Sequence, residues 1–240
     1  MPTQLVKSSE QLNDLSGAWI PQNDVIWIRT GNHTLITYGN QTGTYGKGTK
    51  VWYRDNGVGD KYGTVQSVTF TSGSVTTLNL IPNSDYIASG TISNPYISYG
   101  NAPTNFPGTF SYATIVTLTN ITKGDGTLTL KFTPISPTLI HVHFELLFGS
   151  TSSIGNPAEF SLPVDGVGYG GSFESIGIAM YLDTGLASYV GQLAFDTYSK
   201  AYFNAVGAAG VYANQTNVSN TVPFVWGSGD YLQGEVLYQW

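Results

Sequence analysis

Leu139-Ile140-His141-Val142-His143-Phe144-Glu145-Leu146-Leu147-Phe148 is the most regular stretch of the chain. Ile140, Val142, Phe144, Leu146 and Phe148 recur at every second position, which is the period of a strand with one buried face. A helix would scatter the same residues around its circumference. The segment therefore predicts a half-buried antiparallel strand, with His141, His143 and Glu145 on the opposite face.

The same reading extends outward in both directions. Towards the C-terminus, Ala158–Leu162, Gly177–Leu182, Tyr189–Phe195, Ala201–Phe203, Gly210–Tyr212 and Tyr231–Tyr238 read as further strands. Upstream, Tyr112–Thr119 and Thr127–Thr133 join them. Nearer the start lie Val25–Ile28, Thr34–Tyr38, Lys50–Arg54, Tyr62–Phe70 and Val75–Leu80, with a short element at Tyr86-Ile87. Turn signals separate them: Gly31-Asn32, Asp55-Asn56-Gly57, Ser72-Gly73 and Pro82-Asn83. Phe173–Met180 is the stretch whose type the pattern decides least.

Between the two groups runs Ser93–Gly108, SNPYISYGNAPTNFPG, with three prolines, two glycines and three asparagines. Each proline removes a ladder donor, so a domain boundary is placed here. The expected organisation is a polar tail over residues 1–18, a small β-barrel-like domain over 19–95 and a linker over 96–108. A jelly-roll-like β-sandwich follows over 109–240. The fold class is all-β.

Composition narrows the function. Charged residues make up 10% of the chain, against roughly 25% in average soluble domains, so there is too little charge to coat several amphipathic helices. The formal net charge is −6 with no cluster of Lys or Arg, which argues against binding nucleic acid through its phosphates. Cysteine is absent, which excludes disulfides and thiolate chemistry. No apolar run reaches the length of a membrane-spanning helix, and the residues after Met1 do not read as a signal peptide. No membrane insertion is expected.

Catalytic patterns do not assemble. There is no G-x-S-x-G nucleophile elbow. Asp165, Glu174, Asp183, Asp196 and Glu235 show no spacing that pairs two carboxylates for glycoside hydrolysis. Gly166–Gly171, GVGYGG, lacks the Lys-Ser/Thr ending of a phosphate-binding loop. A non-catalytic protein with no cofactor is the expectation.

Three sets of residues stand out as candidate contacts. His141, His143 and Glu145 share one strand face, so they could hold a transition metal or face a threefold axis where six imidazoles would meet. The alternative is that they bond to neighbouring polar side chains on a sheet surface. Tyr96, Tyr99 and Tyr169 fall in loop-like segments, where a large amphipathic ring suits contact with a host-surface glycan. Trp240 ends the chain on a large aromatic, which either folds into its own core or seals against another subunit.

Several segments together resemble the virion structural proteins of tailed phages and prophages. They are Gly17-Ala18-Trp19-Ile20-Pro21, Tyr45-Gly46-Lys47-Gly48-Thr49-Lys50-Val51 and Thr76–Tyr86, followed by Ile92–Tyr99 with Ala102-Pro103 and Phe106-Pro107. Phe160-Ser161-Leu162-Pro163-Val164 and Val222-Pro223-Phe224-Val225-Trp226 extend the likeness to the C-terminal part. The resemblance implies a tail or receptor-binding component located in the virion. Its expected partners are itself, as a homotrimer, other virion proteins and a host-surface glycan. No glycan-binding residue carries over, because the loops of such proteins vary. A microbial carbohydrate-binding module or carbohydrate-active enzyme is the alternative class, and a groove with paired carboxylates would favour it.

Overall fold

The structure is a computed structural model that describes residues 18–71, 73–167, 174–208 and 213–240. The polar tail expected over residues 1–18 therefore lies outside the described residues except for Ala18. The fold is all-β, and no helix occurs among the described residues. The chain divides into two compact units. One runs to Gly108 and takes in Pro134–Pro137; the other holds Thr109–Thr133 and Thr138–Trp240.

Among the described residues the N-terminal unit has seven strands: β1 (Ile20–Pro21), β2 (Trp27–Arg29), β3 (Thr34–Tyr38), β4 (Lys50–Asp55), β5 (Gly59–Thr71), β6 (Val75–Leu80) and β7 (Ile92–Ser98). They form one antiparallel sheet in the order β1-β7-β4-β5-β6-β3-β2. The long strand β5 makes the bend. Its first half pairs with β4 and its second with β6, and the register shifts between Val65 and Ser67. A bulge of this kind bends a strand and increases its twist.

The bend curls the sheet over its apolar face. Trp27 on β2 packs against Tyr53 on β4 at 6.1 Å between ring centroids, although β2 and β4 are far apart in the strand order. Leu35, Val51, Val65, Leu78 and Ile97 fill the same core. Alternation explains why these residues are inside: Thr76, Leu78 and Leu80 are the buried positions of β6.

Strand β7 corrects the expected linker. Tyr96, Ile97 and Ser98 are not connecting chain; they pair with β1 and β4. Pro95 is accommodated because the ladder skips there. Trp52 pairs with Tyr96 and Arg54 with Ser93, so Asn94 and Pro95 together face Tyr53, with Asn94 at φ 47°. The missing proline donor sits in a bulge and costs no ladder hydrogen bond.

Among the described residues the C-terminal unit has ten strands: β8 (Phe110–Ser111), β9 (Leu118–Thr122), β10 (Thr127–Ser136, of which residues 134–136 fall to the first unit), β11 (Leu139–Leu147), β12 (Ser153–Ser161), β13 (Ser175–Asp183), β14 (Ala187–Thr197), β15 (Lys200–Ala208), β16 (Ala213–Asn217) and β17 (Tyr231–Gln239). They make one sheet in the order β8-β10-β11-β17-β13-β14-β15-β12-β9, with β16 paired to β15. The sheet folds over on itself in a sandwich-like arrangement. Phe144 on β11 meets Phe160 on β12 at 4.9 Å and Phe203 on β15 at 5.1 Å, across strands that are not neighbours in the ladder. Phe144 lies opposite Gly234 on β17. A Cβ at Gly234 would come within 2.4 Å of Leu193 Cδ1, so this inward position next to a phenylalanine must stay small.

Two expected strands differ from what forms. Tyr112–Thr119 is mostly a turn, in which Ile115 N and Val116 N both donate to Tyr112 O; pairing resumes only at Leu118. Tyr86-Ile87 is a bend, not a strand, because Asn83 Oδ1 accepts from the amides of Asp85 and Tyr86. Gly210–Tyr212 lies outside the described residues.

Candidate functional site

The face of β11 that carries His141, His143 and Glu145 is half-exposed along its whole length. Strand β17 runs antiparallel beside it and sets His143 opposite Glu235, His141 opposite Leu237 and Glu145 opposite Gln233. Glu235 is the hub of this surface. Its Oε1 lies 2.6 Å from His143 Nδ1 and its Oε2 lies 2.7 Å from His141 Nε2, so two imidazoles bracket one carboxylate. Gln233 Nε2 donates to Glu145 Oε2 at 2.9 Å.

The structure does not bring His141, His143 and Glu145 to one point. Glu145 turns to Gln233 in the neighbouring row, while the two histidines turn to Glu235. Among the described residues no group of three His, Asp or Glu side chains is placed to hold a metal ion. The sequence names Glu235 only as an unpaired carboxylate. The alternation of Tyr231–Tyr238 puts Glu235 on a strand, but nothing local says which strand lies beside it.

The same rows continue across the sheet. Glu235 pairs with Ile178 on β13, and Ile178 with Gln192 on β14. One row on, Gln233 pairs with Met180, and Met180 with Val190. Ile178 is 68% exposed, Met180 48%, Val190 67% and Leu237 51%. A shallow groove of about 260 Å³ runs between Ile178 and Met180 on β13 and Gln233 and Glu235 on β17, floored by Ala179 and Gly234. The face is thus an imidazole–carboxylate cluster beside a strip of exposed aliphatic side chains. It is suited to contact with another macromolecule, since contiguous exposed apolar surface of this kind marks interaction sites.

The other candidate residues lie elsewhere. Tyr96 is half-buried and stacks on Trp52 at 4.4 Å and 17°. The ladder places Tyr96, Trp52 and Tyr62 in one row across β7, β4 and β5. Trp19 packs on Trp52 and Tyr62, and Phe106 packs on Tyr62 and Trp19, so the row is the floor of a small aromatic cluster. Tyr99 is 59% exposed, and its hydroxyl donates to Thr44 O at 2.8 Å. Tyr169 lies outside the described residues. Trp240 is 3% exposed, and its backbone N donates to Thr138 O at 3.1 Å. That overturns its assignment as an oligomer contact: the closing ring is spent on the unit's own core.

The chain matches no protein-family model, no curated protein and no solved structure.

Proposed function

We propose that the chain is a virion structural protein, a tail or host-attachment component, that assembles as a homotrimer through the outer face of its C-terminal sheet. Other virion proteins and a host-surface glycan are its remaining partners. The observation that carries this reading is the exposed strip of Ile178, Met180, Val190 and Leu237 on adjacent strands. Burying such a strip removes apolar surface from water, at roughly 25 cal/mol per Å². Two-unit all-β architecture and the sequence resemblance to tailed-phage proteins support the virion assignment. Dimers are commoner than trimers in general, so the threefold order rests on that resemblance alone.

Sedimentation equilibrium at micromolar concentration tests the assembly. A species near three times the 25.7 kDa chain mass is expected, and a Met180→Glu/Val190→Glu double variant should sediment as a monomer. A wild-type species near one chain mass would refute self-association, and one near twice that mass would remove the threefold axis. The virion role is tested separately, by immunogold labelling of particles from the source that encodes the chain. Unlabelled particles would sink it.

A further inference from the structure

The bend between β2 and β3 is tied to the end of β6 and the loop after it by three contacts. Two are main-chain bonds: Leu80 N donates to His33 O at 2.8 Å, and Ala88 N donates to Asn32 O at 3.0 Å. The third involves an ionisable group. His33 Nε2 lies 3.1 Å from Asn83 N and 2.8 Å from Asn83 O. An amide N–H only donates and a carbonyl only accepts, whereas one ring nitrogen either carries a proton or does not. It can therefore satisfy one of the two groups at a time. Unprotonated, it accepts from the Asn83 N–H; protonated, it donates to the Asn83 carbonyl and the N–H loses its acceptor.

Asn83 is the organising residue of this loop. It is buried, and its Oδ1 accepts from Asp85 N at 3.1 Å and Tyr86 N at 2.7 Å. A buried amide left without a partner costs about 1–3 kcal/mol.

We propose that His33 is a proton-operated clasp: with its single proton on Nδ1 it pins the loop over residues 81–88 through the Asn83 amide, and a second proton on Nε2 loosens it. Burial lowers the affinity of the ring for a proton, and the contact with Asn83 O only partly opposes this, so the imidazole sits below the usual histidine range. The unfolded chain then takes up the proton more readily than the folded one. The stability of this corner is complete above the ordinary histidine value and is lost as pH falls from there through the folded value. The other ionisable side chains of the corner are Arg29 on β2, whose guanidinium lies 3.3 Å from Asn32 Oδ1, and Asp85 and Tyr86 on the loop. β6 contributes none. The clasp lies within the N-terminal unit and does not depend on the assembly proposed above.

The test is amide hydrogen exchange on the full chain near neutral pH and near pH 5.5, corrected for the intrinsic pH dependence of exchange. Protection of the Asn83 amide is expected to fall several-fold on acidification in the wild type, as the ring gives up its role as acceptor. It should stay level in His33→Gln, which does not titrate. The Leu80 and Ala88 amides serve as controls and should hold in both, which separates a local loosening from global acid unfolding. Equal Asn83 protection at both pH values, or the same loss in His33→Gln, overturns the proposal. Should that variant fail to fold, ¹⁵N shifts of the wild-type ring decide alone: Nε2 must appear as an unprotonated acceptor at neutral pH, and a protonated Nε2 there refutes the clasp.

Discussion

His143 and Glu235 stand 92 residues apart in sequence, yet their side chains meet across the β11–β17 ladder with Nδ1 2.6 Å from Oε1. The pair marks a division between the two faces of the same strands. Outward lie groups that contact one another in partial solvent; inward lie Phe144 and Val236, fully buried.

The two faces should respond very differently to substitution. Glu235→Gln removes an exposed charge contact and is expected to change stability by about 1 kcal/mol or less. Phe144→Ala, one position along β11 and facing inward, empties a space lined by Phe160 and Phe203 and should cost about 3–5 kcal/mol. Urea unfolding of the two variants checks the contrast. Equal losses would mean that the outward cluster is a structural keystone.

Trp240→Ala is expected to destabilise the C-terminal unit by about 3–5 kcal/mol, in the range for a buried large aromatic. A defect in assembly should follow only as a consequence of that loss. Thermal unfolding and sedimentation on the same variant separate the two effects. Weakened assembly with an unchanged melting transition would restore Trp240 as a subunit contact.

The inward residues were legible because strand alternation is local. Ile140 to Phe148 announce their face within ten residues. Glu235 was not legible as the partner of two histidines, since that depends on which strand lies beside β11, and the neighbour is the last strand of the chain. β7 was hidden for a different reason. Pro95 reads as a strand breaker, and only the paired register shows that it sits in a bulge opposite Tyr53. At Tyr112 the β-favouring residues were overruled by a turn that closes on the Tyr112 carbonyl.

Asp125 joins two turns of the C-terminal unit. Its carboxylate accepts from Thr151 N at 2.8 Å, Thr151 Oγ1 at 2.9 Å and Ser150 Oγ at 2.8 Å. The bond from the Thr151 amide, with the two hydroxyl bonds, holds its carboxyl far below the usual carboxylate range. A carboxylate with a lowered folded value contributes stability above its unfolded value, and that contribution drains away as pH falls towards the folded one. Asp125→Asn should therefore be less stable than the wild type near neutrality, with the gap narrowing in acid below about pH 4. Urea midpoints at several pH values give the comparison. A gap that stays constant with pH would mean that the carboxylate's charge is irrelevant to the lock.

Lys50 and Tyr53, three residues apart on β4, predict a maximum of stability in mild alkali. Lys50 is buried, with Nζ donating to Thr64 Oγ1 at 3.2 Å and lying 5.3 Å from the Phe106 ring centroid. Burial pushes its ammonium down to about 8. Between that value and the ordinary lysine value of about 10.4, the unfolded chain holds a proton that the folded chain has released, so stability rises with pH across this window. Tyr53 acts in the other direction. Burial first, and then the nearby Asp55 carboxylate, raise its phenol well above the usual range, with Arg29 opposing them. The unfolded chain loses that proton at about pH 10 while the folded chain keeps it, and stability falls from there upward. Unfolding can be followed by tryptophan fluorescence, because Trp27 packs on Tyr53 in the same core. Stability should climb from about pH 8 and turn over near about pH 10. Lys50→Met should flatten the climb and leave the descent, since it removes the titrating ammonium but keeps an apolar stem of similar length. A climb that survives in Lys50→Met would show that another group drives it, and a flat wild-type profile would mean that Lys50 stays protonated in the fold.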